Sequence, residues 1–187
     1  FCYRFYRSTP VLLGIGPMDD PSQSGQRALD FPLPVRMLIG PPLMHGTGLL
    51  SAFAAFSAGG TVLLTRPDHF NAIESWDLAE KWQATWIIIV GQPFAQPLLD
   101  ALDAEPERWN LKSVLFFTSS GAMWNEENKR GLLRHMPQAA LMDAFSSSEA
   151  LGLGTSVTTA AETVHTAEFA LGEDCAVFDE EGKRVQP

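Results

Sequence analysis

Short apolar runs alternate with amphipathic stretches along the chain from Val35 onward. The runs combine β-branched, aliphatic and aromatic residues, and they predict buried strands at residues 36–39, 61–64, 85–90, 113–118 and 139–142. Between these runs, apolar residues recur at the spacing of one helix face, which predicts helices at residues 46–58, 71–83, 93–103 and 125–135. Glycines or prolines follow several of these segments and mark their ends.

The alternation of strand and helix predicts an α/β fold. Strands that are joined through helices by short connections form a mostly parallel sheet with helices on both faces. After Gly154 the alternation stops, and residues 175–178 predict a strand, 179–182 a turn and 183–185 the start of a return strand. The C-terminus therefore begins a small antiparallel β unit. At the other end, a Pro-, Gly- and Ser-rich composition makes residues 1–34 an irregular segment.

Composition and charge narrow the classes of function. The 187 residues are 45% hydrophobic and 19% charged, which is typical of a globular domain with a sizeable core. A net charge of −9 repels phosphate backbones and argues against a nucleic-acid partner. The two cysteines lie near opposite ends and support neither a disulfide framework nor a zinc site, which favours a reducing, cytoplasmic location.

No segment of the sequence predicts a membrane span. The longest mainly apolar stretch, residues 49–64, is interrupted by serines and glycines and is too short for a bilayer core of about 30 Å. The chain begins with Phe1 instead of Met, and its last residues end without a terminating element. We therefore expect a piece of a longer protein. The sequence carries no signal for the oligomeric state.

Three segments that follow predicted strands could carry chemistry, because ligands of open parallel sheets bind beyond the carboxyl ends of the strands. In residues 41–48 (PPLMHGTG), His45 lies at a helix N-terminus, where the helix dipole favours a neutral ring. In residues 118–124 (TSSGAMW), the small side chains that follow a buried strand leave room for a planar group against the backbone. Residues 143–149 (DAFSSSE) offer hydroxyls for phosphate oxygens and Glu149 for Mg²⁺.

Each segment also has an interpretation without a ligand. His45 could cap its helix, residues 118–124 could form a tight turn, and Ser146 and Glu149 have the spacing of a capping box. Sequence motifs for a hydrolase nucleophile, a dinucleotide-binding turn and a P-loop do not occur. The remaining histidines lack ligand spacing and are predicted to lie on the surface: His69, His135 and His165.

Together the three segments, in this order and spacing, resemble the adenylate-forming acyl-CoA synthetases, a superfamily that also contains luciferases and peptide-synthetase adenylation domains. Two further stretches, VGQPFAQPLLDAL and FALGEDCAVFDEEGKRVQP, are similar to bacterial fatty-acyl and steroid-side-chain CoA ligases. The resemblance covers residues 35–187. It implies that residues 35–158 are an α/β subdomain of the N-terminal AMP-binding domain and that residues 159–187 begin a β-barrel-like subdomain.

The resemblance implies roles for a nucleotide site. Residues 145–149 match the family motif Tyr-Gly-x-Thr-Glu, so that Phe145 would stack on adenine, Ser148 would contact phosphate and Glu149 would hold Mg²⁺. Phe replaces Tyr, and serines replace Gly and Thr. Asp143 would meet the adenine amino group, while Gly121 and Ala122 would flank the other face of the base. The implied ATP/AMP-binding residues are Ser120, Gly121, Ala122, Met123, Asp143, Ala144, Phe145 and Ser146.

The resemblance also implies an acyl site and a reaction. His45 matches a gating residue near the substrate carboxylate and, with Ser148 and Glu149, would be catalytic. The implied acyl tunnel is lined by His45, Gly46, Thr47, Gly48, Gly91, Gln92 and Phe94. A fatty or steroid side-chain acid would react with ATP to give acyl-AMP and then a thioester with coenzyme A.

Two parts of the family machinery have no counterpart within residues 1–187. These are the phosphate-binding loop and the C-terminal domain that carries a catalytic lysine. We therefore expect this chain to be inactive by itself. The alternative from another functional class is a non-catalytic module that binds a nucleotide or an acyl group through a degenerate adenylation site.

Overall fold

The computed structural model describes residues 20–23, 26, 29, 33–66, 69–147, 150–161, 168–172 and 175–185. A 3₁₀ turn at Pro21–Gln23 precedes the regular elements. The helices are α1 (Gly46–Ser57), α2 (Ala72–Lys81), α3 (Gly91–Ala104) and α4 (Glu126–His135). The strands are β1 (Arg36–Ile39), β2 (Thr61–Leu64), β3 (Trp86–Ile89), β4 (Phe116–Ser120), β5 (Ala140–Phe145), β6 (Gly154–Thr158), β7 (Ala170–Leu171), β8 (Val177–Phe178) and β9 (Arg184–Val185).

A mostly parallel sheet organises the described residues. Its seven strands lie in the order β2-β1-β3-β4-β5-β6-β7, and the pairs from β2 to β5 are all parallel. Strands β6 and β7 extend it in antiparallel fashion, while β8 and β9 form a separate antiparallel hairpin. The predicted α/β class and the antiparallel unit near the C-terminus are both confirmed.

Helices cover both faces of the sheet, as expected. Side chains alternate between faces along each strand, and Leu38, Ile87 and Ile89 point to the side that holds α2, α3 and α4. Their neighbours Met37, Ile39 and Ile88 point to the opposite side, where Ala55 of α1 packs on them. Central strand β3 is buried along its whole length because both of its faces are covered.

Several features differ from the sequence-based expectations. Strands β6 and β7 were not predicted, and β5 continues to Phe145 because β6 pairs with its last residues. Of the histidines predicted to lie on the surface, His69 is exposed and His135 is partly exposed, with its Nε2 2.7 Å from Asp103 Oδ1 on α3, while His165 lies outside the described residues. The division of the chain at residue 158 stays a prediction.

The helices in the described part of the chain are too short or too polar to cross a membrane.

We expect α4 to stabilise the protein mainly through the packing of its buried side chains on the sheet. Leu132 of α4 is 0% exposed, whereas Leu49 of α1 is 42% exposed. We expect Leu132→Ala to lower the free energy of unfolding by about 2–5 kcal/mol, because the truncation leaves a cavity. The matched control Leu49→Ala should cost less than about 1 kcal/mol. Urea denaturation followed by circular dichroism measures both, and equal losses would contradict this account of the core.

Candidate functional site

The carboxyl ends of four parallel strands meet at one edge of the sheet. Ile39 of β1 is in register with Ile88 of β3, Ile89 of β3 with Ser119 of β4, and Ser120 of β4 with Ala144 of β5. The three segments that the sequence analysis singled out therefore leave the sheet side by side. The first and second touch directly through His45.

His45 caps helix α1. Its backbone is extended (φ −86°, ψ 136°), and its Nδ1 accepts a hydrogen bond from the Thr47 N–H at 3.2 Å. Because Nδ1 accepts this bond, the ring proton lies on Nε2. The capping interpretation and the ligand interpretation are thus compatible, since the cap occupies one ring nitrogen and leaves the other available.

The other edge of the His45 ring faces Gly121. A Cβ added to Gly121 would lie 3.5 Å from His45 Cε1 and 3.8 Å from Nε2. Gly121 has φ +91°, a conformation that L side chains rarely adopt, and its backbone is exposed. Thr47 Oγ1 also donates to the Ser120 carbonyl at 3.5 Å. The N-terminus of α1 and the exit of β4 therefore form one continuous surface.

The start of α3 holds the loop that follows β4. Gly91 (φ +56°) leaves no room for a side chain, because a Cβ there would lie 2.6 Å from the Met123 carbonyl oxygen and 2.7 Å from Ala122 Cβ. The Gly91 N–H donates to Ser119 Oγ at 2.9 Å, and the Gln92 N–H donates to the Met123 carbonyl at 2.9 Å. These contacts fix the backbone of residues 121–123, while the Met123 side chain is 71% exposed.

The residues assigned to an acyl tunnel have mixed surroundings. Gly48 is buried, and a Cβ there would lie 2.6 Å from the Pro42 carbonyl oxygen, whereas Gly46 is exposed. Phe94 packs on the core and on Phe70, with 4.6 Å between the ring centroids. Gln92 accepts at Oε1 from the Asn125 N–H at 3.2 Å. The tunnel itself stays a prediction.

Strand β5 presents an aromatic ring at its carboxyl end. Phe145 is 55% exposed and lies beside Phe169, with 5.7 Å between the ring centroids. Leu141, Asp143 and Phe145 share one face of the strand, and Ala144 points to the other. Ser120, the last residue of β4, pairs with Ala144, so Gly121 leaves β4 beside the strand that ends in Phe145.

The serines after β5 support their own loop. Ser146 Oγ accepts from the Gly152 N–H at 3.0 Å, and Ser147 Oγ accepts from the Ala150 N–H at 3.1 Å. Ser148 and Glu149 lie outside the described residues, so their phosphate, metal and catalytic roles stay predictions. In the part of the chain that the structure describes, no group of three His, Cys, Asp or Glu side chains could hold a metal ion.

Sequence reasoning missed Lys129. Its side chain is 0% exposed, its Nζ forms an ion pair with Asp143 Oδ2, and it lies 5.6 Å from the centroid of the Trp124 ring. A helix-periodicity signal was present, because Lys129 precedes Leu133 by four residues and therefore shares the buried face of α4. The predicted adenine contact Asp143 is thus half of a buried ion pair.

Burial controls the ionisation of Asp143. Removal from water raises the pKa of the Asp143 carboxyl above its ordinary 3.8, and this effect outweighs the opposing influence of the Lys129 ammonium. Among the described residues, Lys129 is the charged group in contact with this carboxyl. Burial thus favours the protonated form of this carboxyl, and the Lys129 ammonium opposes it.

These observations define a class of site before any relative is considered. It lies at the carboxyl edge of a parallel sheet, beside a helix N-terminus, and it exposes an aromatic ring, a glycine backbone and one imidazole. Flat, anionic ligands such as nucleotides suit this combination.

Comparisons with known proteins identify the family. The family described as AMP-binding enzyme matches residues 24–187. A medium/long-chain-fatty-acid–CoA/3-oxocholest-4-en-26-oate–CoA ligase of Mycolicibacterium smegmatis is 30% identical over 176 residues, which cover 91% of this chain and 31% of the relative. A 3-oxocholest-4-en-26-oate–CoA ligase of Rhodococcus rhodochrous is 27% identical, covering 79% of this chain and 27% of the relative. The chain thus spans less than a third of these relatives and belongs to the AMP-binding enzyme family.

Solved structures agree on the fold. A luciferase-like enzyme from the mealworm Zophobas morio is 17% identical and superposes with a TM-score of 0.67 over 81% of this chain and 37% of that one. A long-chain-fatty-acid–CoA ligase from Archaeoglobus fulgidus is 15% identical, with a TM-score of 0.60 over 88% of this chain and 35% of the other.

Removal of one member of the Lys129–Asp143 pair should destabilise the fold, because the other member then lacks its counter-ion. We expect Lys129→Met to lower the free energy of unfolding by about 3–5 kcal/mol, because it leaves a mostly buried carboxylate without its cation. The double variant Lys129→Met/Asp143→Leu should recover most of this loss. Lys81→Met is a matched control, since Lys81 also lies in a helix, 5.8 Å from a tryptophan ring, but is exposed. It should cost less than about 1 kcal/mol.

The difference in stability between the wild type and the double variant should depend on pH. Because the pKa of Asp143 is raised in the folded state, its stabilising contribution is present below pH 3.8 and is lost as the pH rises through the raised pKa. The stability of the wild type relative to the double variant should therefore fall as the pH rises through this window. Urea titrations at a series of pH values measure the difference, and a constant or rising difference would contradict the direction of the shift.

Proposed function

We propose that this chain belongs to an ATP-dependent acyl-CoA synthetase, which activates a fatty or steroid side-chain acid as acyl-AMP and transfers it to coenzyme A. The observation that carries the proposal is the approach of His45 to Gly121 at the carboxyl edge of the sheet, where β5 also ends in the exposed Phe145 ring. The relatives that cover most of this chain are named as ligases of such acids. The ordered motifs of the sequence support the same assignment.

The base of ATP would bind between Phe145 and the Gly121 backbone. Two observations fit a purine there: the Phe145 ring is 55% exposed, and the backbone of Gly121 is exposed at the same edge of the sheet. Ser120, Ala122, Met123 and Ala144 would form the surrounding backbone. Asp143 lies on the same face of β5 as Phe145, two residues earlier, and would accept a hydrogen bond from the adenine amino group.

His45 would act on the reacting groups. Its Nε2–H would be a donor at the N-terminus of α1, where the helix dipole also favours anions. In the proposed first step, an oxygen of the substrate carboxylate attacks the α-phosphorus of ATP, and the bond to pyrophosphate breaks. A donor held at this place would stabilise the negative charge that develops on the phosphoryl oxygens. In the second step, the sulfur of coenzyme A attacks the acyl carbonyl and AMP leaves.

Magnesium and the motif residues Ser148 and Glu149 complete the proposal. When bound, Mg²⁺ would neutralise phosphate charge during the displacement. Glu149 remains the proposed ligand on the strength of the sequence motif, and Ser148 the proposed phosphate contact. A cytoplasmic location is part of the same proposal.

An apolar acid fits the surface of α1. Phe53 and Phe56 are 51% and 59% exposed, on the side of the helix next to the one that holds buried Ala52 and Ala55. These rings could contact an aliphatic or steroid chain only if another part of the protein encloses it from the outside. We therefore propose that the acyl pocket is completed by residues outside those that the structure describes.

Pyrophosphate exchange into ATP tests the proposed reaction. In the full-length gene product we expect exchange that depends on a fatty or steroid acid, and Glu149→Gln should abolish it while the thermal unfolding midpoint stays the same. Residues 1–187 alone should show no exchange. Binding of ATP without acid-dependent exchange in the full-length protein would support the non-catalytic module instead, and normal exchange in Glu149→Gln would refute the metal assignment.

Loss of the Phe145 ring should weaken nucleotide binding specifically. We expect Phe145→Ala to reduce ATP affinity by about 1–3 kcal/mol, the range measured for bases stacked on aromatic side chains. Phe178→Ala is a matched control, because this ring is 60% exposed and lies in the β8–β9 hairpin. Isothermal titration with ATP compares the two variants. Equal affinities in Phe145→Ala and Phe178→Ala would exclude the stacking role.

A further inference from the structure

The ion pair between Lys129 and Asp143 connects the interior of α4 to the edge of the nucleotide surface. Lys129 has no exposed side-chain area, whereas the Asp143 side chain is 14% exposed. The ammonium is therefore shielded from any ligand, and the carboxylate is the part of the pair that a ligand can reach. The side chain of Trp124, which is 1% exposed, closes the other side of the ammonium.

The geometry of β5 directs the carboxylate toward a base on Phe145. Asp143 and Phe145 share one face of the strand and are two residues apart, about 7 Å along it. The ion pair engages Oδ2, and Oδ1 is the carboxylate oxygen that the proposal assigns to the base. A purine stacked on the Phe145 ring would thus direct its edge toward Asp143 Oδ1, while the Lys129 ammonium holds Oδ2 from the interior side.

We propose that Lys129 is a positioning residue for nucleotide selection, which keeps Asp143 an acceptor and so favours a purine with an amino group over one with an oxo group. This inference rests on the proposed function and extends it to a residue that never touches the nucleotide. An ionised carboxylate only accepts hydrogen bonds, so it matches the amino group of adenine and repels the carbonyl oxygen of hypoxanthine.

The reason for the lysine follows from burial. Removal from water raises the pKa of the Asp143 carboxyl. Without the ammonium, this carboxyl would take up a proton more readily, and a protonated carboxyl can donate to an oxo group as well as accept from an amino group. Lys129 opposes that protonation through its charge and its hydrogen bond. Its loss should therefore relax the choice of base before it affects the chemistry.

Selectivity between ATP and inosine triphosphate tests the proposal. In the full-length gene product, kcat/KM for acid-dependent pyrophosphate exchange is measured with both nucleotides at pH 7. We expect Lys129→Met to lower the ATP/inosine triphosphate ratio about 10-fold to 100-fold, mostly through a lower KM for inosine triphosphate, because a protonated Asp143 carboxyl gains a hydrogen bond to the oxo group. Lys129→Arg should retain part of the ratio. The matched control Lys81→Met should leave it unchanged.

Two further variants separate a loss of nucleotide selection from a loss of folding. Lys129→Met/Asp143→Leu leaves no lone buried charge, and its ratio should be as low as that of Asp143→Leu alone, because Lys129 acts through Asp143. If Lys129→Met instead reduces kcat/KM equally for both nucleotides, or if it lowers the ratio further in the Asp143→Leu background, the proposal is overturned. Absence of exchange in the wild type would refute the proposed function itself, which is a distinguishable result.

Discussion

The parallel register of β1, β3, β4 and β5 is the constraint on which the candidate site depends. Each of these strands ends at the same edge, and after three of them a helix begins within a few residues. The N-termini of α1, α3 and α4 therefore converge there. Buried β3 holds this arrangement, because any shift of its register would move apolar side chains from one covered face to the other.

Contacts between the loops make this edge rigid. Ser119 Oγ accepts from the Gly91 N–H, the Met123 carbonyl accepts from the Gln92 N–H, and Gln92 Oε1 accepts from the Asn125 N–H. Each bond joins the exit of one strand to the helix that follows another. These three bonds tie the loops to one another, while Phe145 and Gly121 are exposed.

Local signals explain which elements could be predicted from the sequence. The four helices and the parallel strands have apolar runs, glycine stops or Asn caps of their own, so their positions were predicted to within a few residues. Strands β6 and β7 have no such pattern, since β6 (GTSVT) is half-buried and is defined by pairing with β5. Lys129 was missed because a charged residue is expected at the surface, and its partner lies 14 residues away in sequence.

A gain in stability alone does not explain the ion pair between Lys129 and Asp143. Two charges removed from water cost several kcal/mol each, and apolar residues of similar volume are often as stable or more so. Leu132, Leu133 and Trp124 surround this part of α4 with an apolar core that could have accommodated a leucine or methionine. A buried cation directly behind a partly exposed carboxylate would, in contrast, suit the proposed recognition of a hydrogen-bond donor. Asp143 lies two residues before the exposed Phe145 on β5. This position relates the free-energy cost of burying the ion pair to the proposed choice of ligand.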